Sequence, residues 1–299
     1  MDTAIQTEGL TKRFGARVAV DGLDLAVRAG SVFGFLGPNG AGKTTTIGML
    51  LGLVRPSAGR ALLFGHDVAQ APERALAGVG AMIEAPAFYP YLSGRDNLRA
   101  LALAGGLPPA RVEAALAAVE LLPRARDTFR AYSQGMRQRL GIAAALLHEP
   151  KLIILDEPTN GLDPAGQREI RELICGLAQS GRTIFLSSHQ LHEVEQICDE
   201  VAILKAGRLV AGGPVAELLR RGQGVLLRVP GEAARAAGLL RGVGWVAGVE
   251  QRGDELLVDA PAARAAELNM LLAGQGIAVA EVRARGETLE ELFLEVTGG

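Results

Sequence analysis

Apolar runs of strand length alternate with segments of helical periodicity from the N-terminus to Leu204. Strands of a parallel sheet read as near-continuous apolar runs, because helices cover both faces of such a sheet. Strands separated by helices therefore predict an α/β fold with a mostly parallel sheet. The predicted strands are Ala4–Leu10, Val18–Val27, Ser31–Leu36, Lys151–Leu155, Thr183–Ser187 and Val201–Leu204, and the predicted helices are Thr44–Leu53, Ala165–Gln179 and Gln190–Cys198.

The middle and the end of the chain have different patterns. The region from Arg95 to Leu147 is rich in alanine and leucine with helical periodicity, and the C-terminal segment reads as βαββαβ, the split-βαβ order. We predict a first domain over 1–217 with a helical subdomain at about 88–148, a linker over 218–224, and a ferredoxin-like α+β domain over 225–299. The C-terminal elements are strands Val225–Val229, Trp245–Val249, Glu255–Val258 and Ile277–Arg283, and helices Glu232–Leu240, Ala262–Leu272 and Glu287–Val296, the last with Leu289, Leu292, Phe293 and Val296 on one face.

Composition narrows the class of protein. Hydrophobic residues make up 48% and charged residues 21% of the 299 residues, which excludes intrinsic disorder. A net charge of −2 gives no general attraction to nucleic acid. Two cysteines build no disulfide framework and favour a reducing compartment. The start lacks the pattern of a signal peptide, and no apolar run is long enough to span a bilayer. We expect a cytoplasmic chain that reaches a membrane only through a separate polypeptide.

A phosphate-binding loop lies between the third predicted strand and the first predicted helix. The segment matches G-x-x-x-x-G-K-[ST], in which glycines let backbone N–H groups converge on phosphate oxygens. The lysine carries its charge to the β- and γ-phosphates, and the following threonine offers a hydroxyl to Mg²⁺. The sequence therefore predicts a site for a nucleoside triphosphate with Mg²⁺. The segment consists of Gly37, Pro38, Asn39, Gly40, Ala41, Gly42, Lys43, Thr44 and Thr45.

Two adjacent carboxylates, Asp156 and Glu157, follow the apolar strand at Lys151–Leu155. A parallel strand places them at the carboxyl edge of the sheet, beside the phosphate loop. Asp156 suits direct or water-mediated binding of Mg²⁺, and Glu157 suits polarising a water for in-line attack on the γ-phosphate. Many strands end in an acidic residue at a solvated turn, so the prediction depends on the loop upstream.

Three further motifs identify the family that the chain resembles. Tyr132–Arg139 reads Tyr-Ser-Gln-Gly-Met-Arg-Gln-Arg, Asn160–Asp163 reads Asn-Gly-Leu-Asp, and His189 ends the next strand. In this order the set resembles the ATP-binding subunit of ABC transporters over about residues 1–217. The resemblance implies an ATPase that sandwiches two ATP between two copies of itself and drives a separate transmembrane permease, with no nucleic-acid partner. Such a subunit is peripheral on the inner face of the cell membrane.

The resemblance also implies roles for individual residues. Phe14 would stack on adenine, although packing in a turn is the alternative, and His189 would contact the γ-phosphate. Ser133 and Gly135 would contact the γ-phosphate held by the opposite subunit, where they open a helix whose N-terminus attracts anions; Ser133 can cap that helix at the same time. Asp163 would belong to the loop that communicates across the dimer.

Two departures from the common family pattern indicate a branch. The signature usually reads Leu-Ser-Gly-Gly-Gln, and the loop that usually carries a glutamine near Mg²⁺ has Glu84 instead. Glu84 can still offer an oxygen to a hard cation. Both departures, and the ending from Glu287, are similar to bacitracin-type and daunorubicin-type exporters and lantibiotic-immunity ATPases. This implies export of a drug, an antibiotic peptide or a lipid-like compound. The aromatic segment 88–92 would receive the permease, with local packing as the alternative.

Two other classes of P-loop protein compete with this interpretation. A soluble ABC-type ATPase acting on ribosomes or nucleic acid would carry two cassettes or a long coiled coil, whereas this chain has one P-loop and no heptad stretch. A GTPase switch would need an Asn-Lys-x-Asp motif, which no lysine of the chain provides.

Overall fold

The computed structural model describes residues 2–84, 86–221, 224–285 and 288–297. The chain forms two compact units, Met1–Gly213 and Pro214–Gly299. The elements up to Pro214 are strands β1 (Thr3–Phe14), β2 (Arg17–Arg28), β3 (Val32–Leu36), β4 (Ala58–Leu63), β5 (His66–Asp67), β6 (Val79–Met82), β7 (Leu152–Asp156), β8 (Thr183–Ser188), β9 (Glu200–Lys205) and β10 (Arg208–Pro214), and helices α1 (Lys43–Leu50), α2 (Pro72–Leu76), α3 (Gly94–Ala104), α4 (Ala110–Ala118), α5 (Gln134–Leu146), α6 (Pro164–Gln179) and α7 (Leu191–Ile197).

A six-stranded sheet in the order β10-β9-β3-β8-β7-β6 forms the centre of the N-terminal unit. The pairs β9-β3, β3-β8, β8-β7 and β7-β6 are parallel, so the prediction of an α/β fold with a mostly parallel sheet is confirmed. All five residues of β3 and all five of β7 are buried, as expected of strands covered on both faces. The Phe33 and Phe35 rings pack on Phe185 of β8, with centroids 5.8 and 5.2 Å apart.

A second sheet, in the order β2-β1-β4-β5, is antiparallel. Four strands of this unit, namely β4, β5, β6 and β10, lie where the sequence pattern predicts none. In β4 the first three residues are exposed, and Gly59 and Arg60 interrupt any apolar run. This segment becomes a strand because its backbone pairs with the longer β1, with Ile5 opposite Leu63. Such pairing depends on the partner strand and leaves little local pattern.

Helices α3, α4 and α5 occupy the region predicted to be helical between Arg95 and Leu147. Ser93 caps α3 and Ser133 caps α5, each accepting a hydrogen bond from the backbone N–H three residues later. Asp163 caps α6 in the same way, and Pro164 occupies the first turn of that helix. No helix in the described ranges is long and apolar enough to cross a membrane.

The C-terminal unit has a sheet in the order β12-β13-β11-β14, in which every neighbouring pair is antiparallel. Its separate hydrophobic core includes Val225, Leu227, Leu240, Val258 and Leu268. After the short helix α8 (Val215–Arg221), the elements follow in the predicted order βαββαβ and end in a helix. They are β11 (Gly224–Arg228), α9 (Ala233–Arg241), β12 (Gly248–Arg252), β13 (Glu255–Asp259), α10 (Ala265–Gly274), β14 (Glu281–Arg285) and α11 (Leu289–Thr297).

Four boundaries in or next to this unit differ from the sequence predictions. Helix α8 covers the start of the predicted linker, 218–224, and the division between the units falls at Gly213 rather than at residue 217. Strand β12 begins after Trp245, which therefore lies outside the strand. The centroid of its ring lies 3.8 Å from the Arg264 guanidinium carbon. Strand β14 begins after Ile277, whose N–H closes the end of α10 on the Leu272 carbonyl. Of the predicted last helix, Glu287 lies outside the described residues.

Replacing Gly80 by alanine is expected to destabilise the N-terminal unit. A Cβ at Gly80, in β6, would overlap the Ala145 carbonyl of α5 and lie 2.9 Å from Pro150 Cγ. Overpacking of this kind costs about 1–3 kcal/mol. We expect a clear fall in the thermal unfolding midpoint. Gly176→Ala, in α6, is the control because nothing lies within 4 Å of its added Cβ, and this variant should be as stable as the parent or more stable. Equal midpoints for both variants would contradict the close approach of β6 and α5.

Candidate functional site

The predicted phosphate loop connects β3 to α1 and folds back over the end of β3. Gly42 has a φ of +109°, and a Cβ there would lie 2.5 Å from the Ala19 carbonyl oxygen, so both the conformation and the space require glycine. Lys43 opens α1 and is 6% exposed. Its Nζ donates a hydrogen bond of 2.7 Å to the Gly37 carbonyl, which holds the ammonium group inside the loop.

The first carboxylate, Asp156, is buried at the end of β7 and has two hydroxyl donors. Thr44 Oγ1 donates to its Oδ2 at 3.0 Å, and Ser187 Oγ, from the neighbouring strand β8, donates to its Oδ1. The backbone N–H of Glu157 also donates to Ser187 Oγ, at 3.0 Å. Ser187 therefore fixes both Asp156 and the turn that begins at Glu157.

The second carboxylate, Glu157, lies between two nitrogen groups. Its Oε1 is 3.2 Å from Lys43 Nζ, and its Oε2 is 2.7 Å from His189 Nδ1. Glu157 adopts a φ of +51°, which a residue with a Cβ rarely takes and which costs of order 1 kcal/mol. The turn thereby directs the carboxylate toward the phosphate loop instead of along the strand.

The phosphate loop, Glu157 and His189 line a cavity of about 340 Å³. Enclosed sites for small ligands in proteins commonly have 300–1,000 Å³. The sequence singled out nine of the lining residues, and the structure brings them together although they come from three separate segments. The cavity is lined by Arg17, Ala19, Pro38, Asn39, Gly40, Gly42, Lys43, Thr44, Thr45, Glu157, Asn160 and His189.

Several predicted site residues lie outside this lining. Phe14 ends β1 with 52% of its surface exposed, and Lys12 Nζ is 4.9 Å from its ring centroid. Glu84 is exposed just after β6. Asp163 is exposed at the N-terminus of α6, where its carboxylate accepts the Gly166 N–H. Gly37 and Ala41 of the phosphate loop and the buried Asp156 are also absent from the lining.

The last predicted pair, Ser133 and Gly135, lies at the N-terminus of α5. Ser133 is exposed, its hydroxyl accepts the Met136 N–H at 3.2 Å, and a Cβ built on Gly135 meets nothing within 4 Å. The preceding Tyr132 is buried and donates its hydroxyl to the Arg124 carbonyl. Burial raises the pKa of that phenol, so it keeps its proton at neutral pH. Tyr132 thus anchors the turn and leaves its backbone and serine facing outward.

The sequence motifs missed three residues of the site, Arg17, Ala19 and Ser187. Arg17 and Ala19 line the cavity, and Ser187 donates to the Asp156 carboxylate and accepts the Glu157 backbone N–H. Asn160, from the Asn-Gly-Leu-Asp motif, also lines the cavity, although the sequence assigned it no role. Of the missed residues, Ser187 had a local signal, its place in the Ser-Ser-His segment that ends in His189. In the described part of the chain, no group of three or more His, Cys, Asp or Glu side chains is placed to hold a metal ion.

The sequence of this chain matches a known protein family and several named proteins. The family model described as ABC transporter matches residues 20–160. The chain is 39% identical to the bacitracin transport ATP-binding protein BcrA of Bacillus licheniformis, over 100% of this chain and 99% of that protein. It is 38% identical to the daunorubicin resistance ATP-binding protein DrrA3 of Streptomyces coeruleorubidus, over 99% of this chain and 96% of that one.

Solved structures show the same fold. CbiO1 from Clostridium perfringens, part of the ABC transporter complex cbiONQ, is 29% identical and superposes with a TM-score of 0.67, covering 73% of this chain and 91% of that one.

Arg17 gives a test of what the cavity binds. Arg17 and Lys43 are the arginine and lysine side chains that line it within the described residues, and Arg17 Nη2 is 3.8 Å from where a Cβ on Gly40 would lie. We expect Arg17→Ala to weaken ATP binding about tenfold, or ~1.4 kcal/mol, because a charge-assisted contact to phosphate is lost. Arg13→Ala, which removes an exposed arginine outside the lining, should leave the Kd for ATP unchanged. Titration calorimetry measures both; an unchanged Kd for Arg17→Ala would contradict the assignment.

Proposed function

Because this chain belongs to the ATP-binding subunits of ABC transporters, we propose that it powers export of a drug, an antibiotic peptide or a lipid-like compound through a separate membrane permease. One observation carries the proposal: Glu157 lies between Lys43 and His189 at the wall of the cavity, within 3.2 and 2.7 Å of their nitrogens. In the proposed complex, this carboxylate, ammonium group and imidazole would face the terminal phosphate of ATP. These three kinds of group suit hydrolysis of a phosphoanhydride.

The phosphate loop and Lys43 would bind the triphosphate, since backbone N–H groups at a helix N-terminus and one ammonium group together neutralise its charge. Mg²⁺ fits beside them, because Thr44 Oγ1 and Asp156 Oδ2 are hard oxygen donors only 3.0 Å apart. Mg²⁺ commonly takes one or two protein ligands together with phosphate oxygens, and it would supply neutralisation of the phosphate charge. Glu84, exposed after β6, is a further candidate ligand.

Glu157 would accept the proton of the attacking water, and its geometry suits this role. Its carboxylate is held from both sides, by Lys43 and by His189, so little reorientation is needed when the substrate arrives. The His189 side chain is 41% exposed, and its ring would contact the γ-phosphate through Nε2 while Nδ1 faces Glu157. Phe14, half-exposed at the end of β1, would carry the adenine on its face.

A second copy of the chain would complete the site. Ser133 and Gly135 lie at an exposed helix N-terminus that does not line the cavity of their own chain, and Asp163 is exposed at another. In a head-to-tail dimer each α5 N-terminus would contact the γ-phosphate bound by the other copy. A Cβ built on Gly135 would meet nothing within 4 Å, which leaves room for that approach.

The permease would bind near the aromatic segment 88–92. Phe88 packs on Phe129, with ring centroids 5.3 Å apart, so this residue follows the alternative of local packing. Tyr89 and Tyr91, by contrast, are 69% and 78% exposed. The buried Asn97 accepts the Tyr89 N–H and donates to the Tyr89 and Leu92 carbonyls, which fixes the shape of the segment. Two aromatic rings presented by a rigid loop suit a protein partner.

The proposed location follows from that partner: the chain would be cytoplasmic and peripheral on the inner face of the cell membrane. The names of the two relatives, bacitracin transport and daunorubicin resistance, favour export of toxic compounds. They give no support to the alternative of an ATPase acting on ribosomes or nucleic acid. For the C-terminal unit we propose a ferredoxin-like accessory domain, supported by its βαββαβ order and antiparallel sheet.

Glu157→Gln tests the catalytic assignment. The amide keeps the shape of the side chain but accepts no proton, and loss of a general base typically costs 10²–10⁴ in rate. We expect ATP hydrolysis to fall at least a hundredfold while ATP binding persists, and an ATP-bound dimer to accumulate in size-exclusion chromatography. Lys43→Ala is the control for binding and should lose both affinity and activity. Hydrolysis by Glu157→Gln at the parental rate would defeat the assignment.

Ser133→Arg tests the shared site. A large side chain at the outward turn should prevent dimer closure and abolish hydrolysis, while the Kd for ATP of the monomer stays unchanged. Ser93→Arg is matched to it, because it removes the same kind of cap from α3 and should keep dimer-dependent activity. If Ser133→Arg instead loses ATP binding, the serine belongs to the site of its own chain.

A further inference from the structure

Glu193, on α7, is a buried carboxylate to which the mechanism above gives no part. The residue is 6% exposed, and Glu193 and Asp156 are the acidic residues buried to this degree in the described part of the chain. A buried carboxylate is costly unless it is paired and hydrogen-bonded. Asp156 has a direct use beside the phosphate loop, whereas Glu193 does not line the cavity.

The partners of Glu193 come from two other segments. Thr159 Oγ1, itself in a residue that is 4% exposed, donates a hydrogen bond of 2.6 Å to Glu193 Oε2. Arg171 Nη1, from α6, lies 3.5 Å from Glu193 Oε1 and compensates its charge. Oε1 has no hydrogen-bond partner, so the carboxylate is held mainly through its bond to Thr159.

These contacts join the two segments that carry the proposed catalytic pair. Thr159 follows Glu157 by two residues, and Glu193 follows His189 by four. The Glu157–His189 contact at the cavity, 2.7 Å, and the Thr159–Glu193 contact in the interior, 2.6 Å, are therefore two links between the same segments.

Helix α6, which Asp163 caps, is attached to the same junction. Arg171 reaches Glu193 from the middle of this helix, and Gln167 Nε2 donates to Gln190 Oε1 at 3.2 Å near its start. The helix that Asp163 caps and the helix after His189 are thus connected through side chains from consecutive turns.

We propose that Glu193 is a positioning residue that holds α7 against the turn after Glu157 and so sets the position of His189 relative to the catalytic carboxylate. The proposal rests on the proposed function, in which Glu157 and His189 act together on the γ-phosphate. Misplacement of a reacting group by about 1 Å costs of order a hundredfold in rate. Loosening this junction should therefore lower kcat, while ATP binding by the phosphate loop stays intact.

Glu193→Gln and Thr159→Val test the two sides of the link. The amide removes the charge that faces Arg171, and valine removes only the hydroxyl at similar volume. We expect each to lower kcat about tenfold with the KM for ATP within about twofold. The double variant should lose less than the product of the two single losses, because both changes loosen the hold on the same carboxylate. Thr159→Ser restores the hydroxyl and should recover most of the rate.

Glu172→Gln is the matched control, since this exposed glutamate on α6 pairs with Arg168 and lies outside the junction. It should leave kcat unchanged. A fall in unfolding temperature of Glu193→Gln and Thr159→Val with kcat intact would overturn the proposal and leave a purely structural contact. Additive losses in the double variant would overturn it too. If Glu193→Gln does not fold, the kcat values of Thr159→Val and Thr159→Ser test the proposal without it. Failure of the proposed function is distinguished by Glu157→Gln, which would then hydrolyse ATP like the parent.

Discussion

The parallel pairing of β3, β8 and β7 is the constraint on which the rest of the structure depends. All three strands end at the same edge of the sheet, and a charged or titratable residue of the site follows each one, namely Lys43 after β3, Glu157 after β7 and His189 after β8. Local geometry then brings the Glu157 carboxylate within 3.2 Å of the lysine and 2.7 Å of the histidine. The site is thus a product of strand order, because none of the three segments forms it alone.

The same constraint explains how much of the fold could be predicted. β3 and β7 are apolar throughout because both faces are covered, and this leaves an unmistakable pattern in the sequence. β4 owes its strand conformation to β1, so its own residues, Gly59 and Arg60 among them, carry little signal. The strands near Trp245 and Ile277 begin later than predicted for another reason. Trp245 packs on Arg264 and Ile277 closes the end of α10, and these contacts override the local β preference.

The residues of the site likewise fall into some that the sequence predicts and others that it does not. The phosphate loop is readable because backbone geometry demands glycine at fixed spacing, as the crowded Gly42 shows. Arg17 and Glu193 could not be identified from the sequence, and Ser187 had only a weak local signal, since their importance arises from partners that are distant in the chain. Ser187 acts through hydrogen bonds to residues about thirty positions earlier, and Glu193 acts through Thr159 in the same way. Spacing predicts a motif, but only the folded chain identifies the side chains that support it.

Asn97 has a consequence for how such proteins diversify. Its amide holds the backbone at Tyr89 and Leu92, so the loop keeps its course whatever rings stand on its outer side. In the proposed complex with a permease, the outward side chains at 89 and 91 can therefore change without disturbing the nucleotide site. After a gene duplication, substitutions there would let a daughter copy bind a different permease. Recognition and energy conversion can evolve as separate modules within one polypeptide.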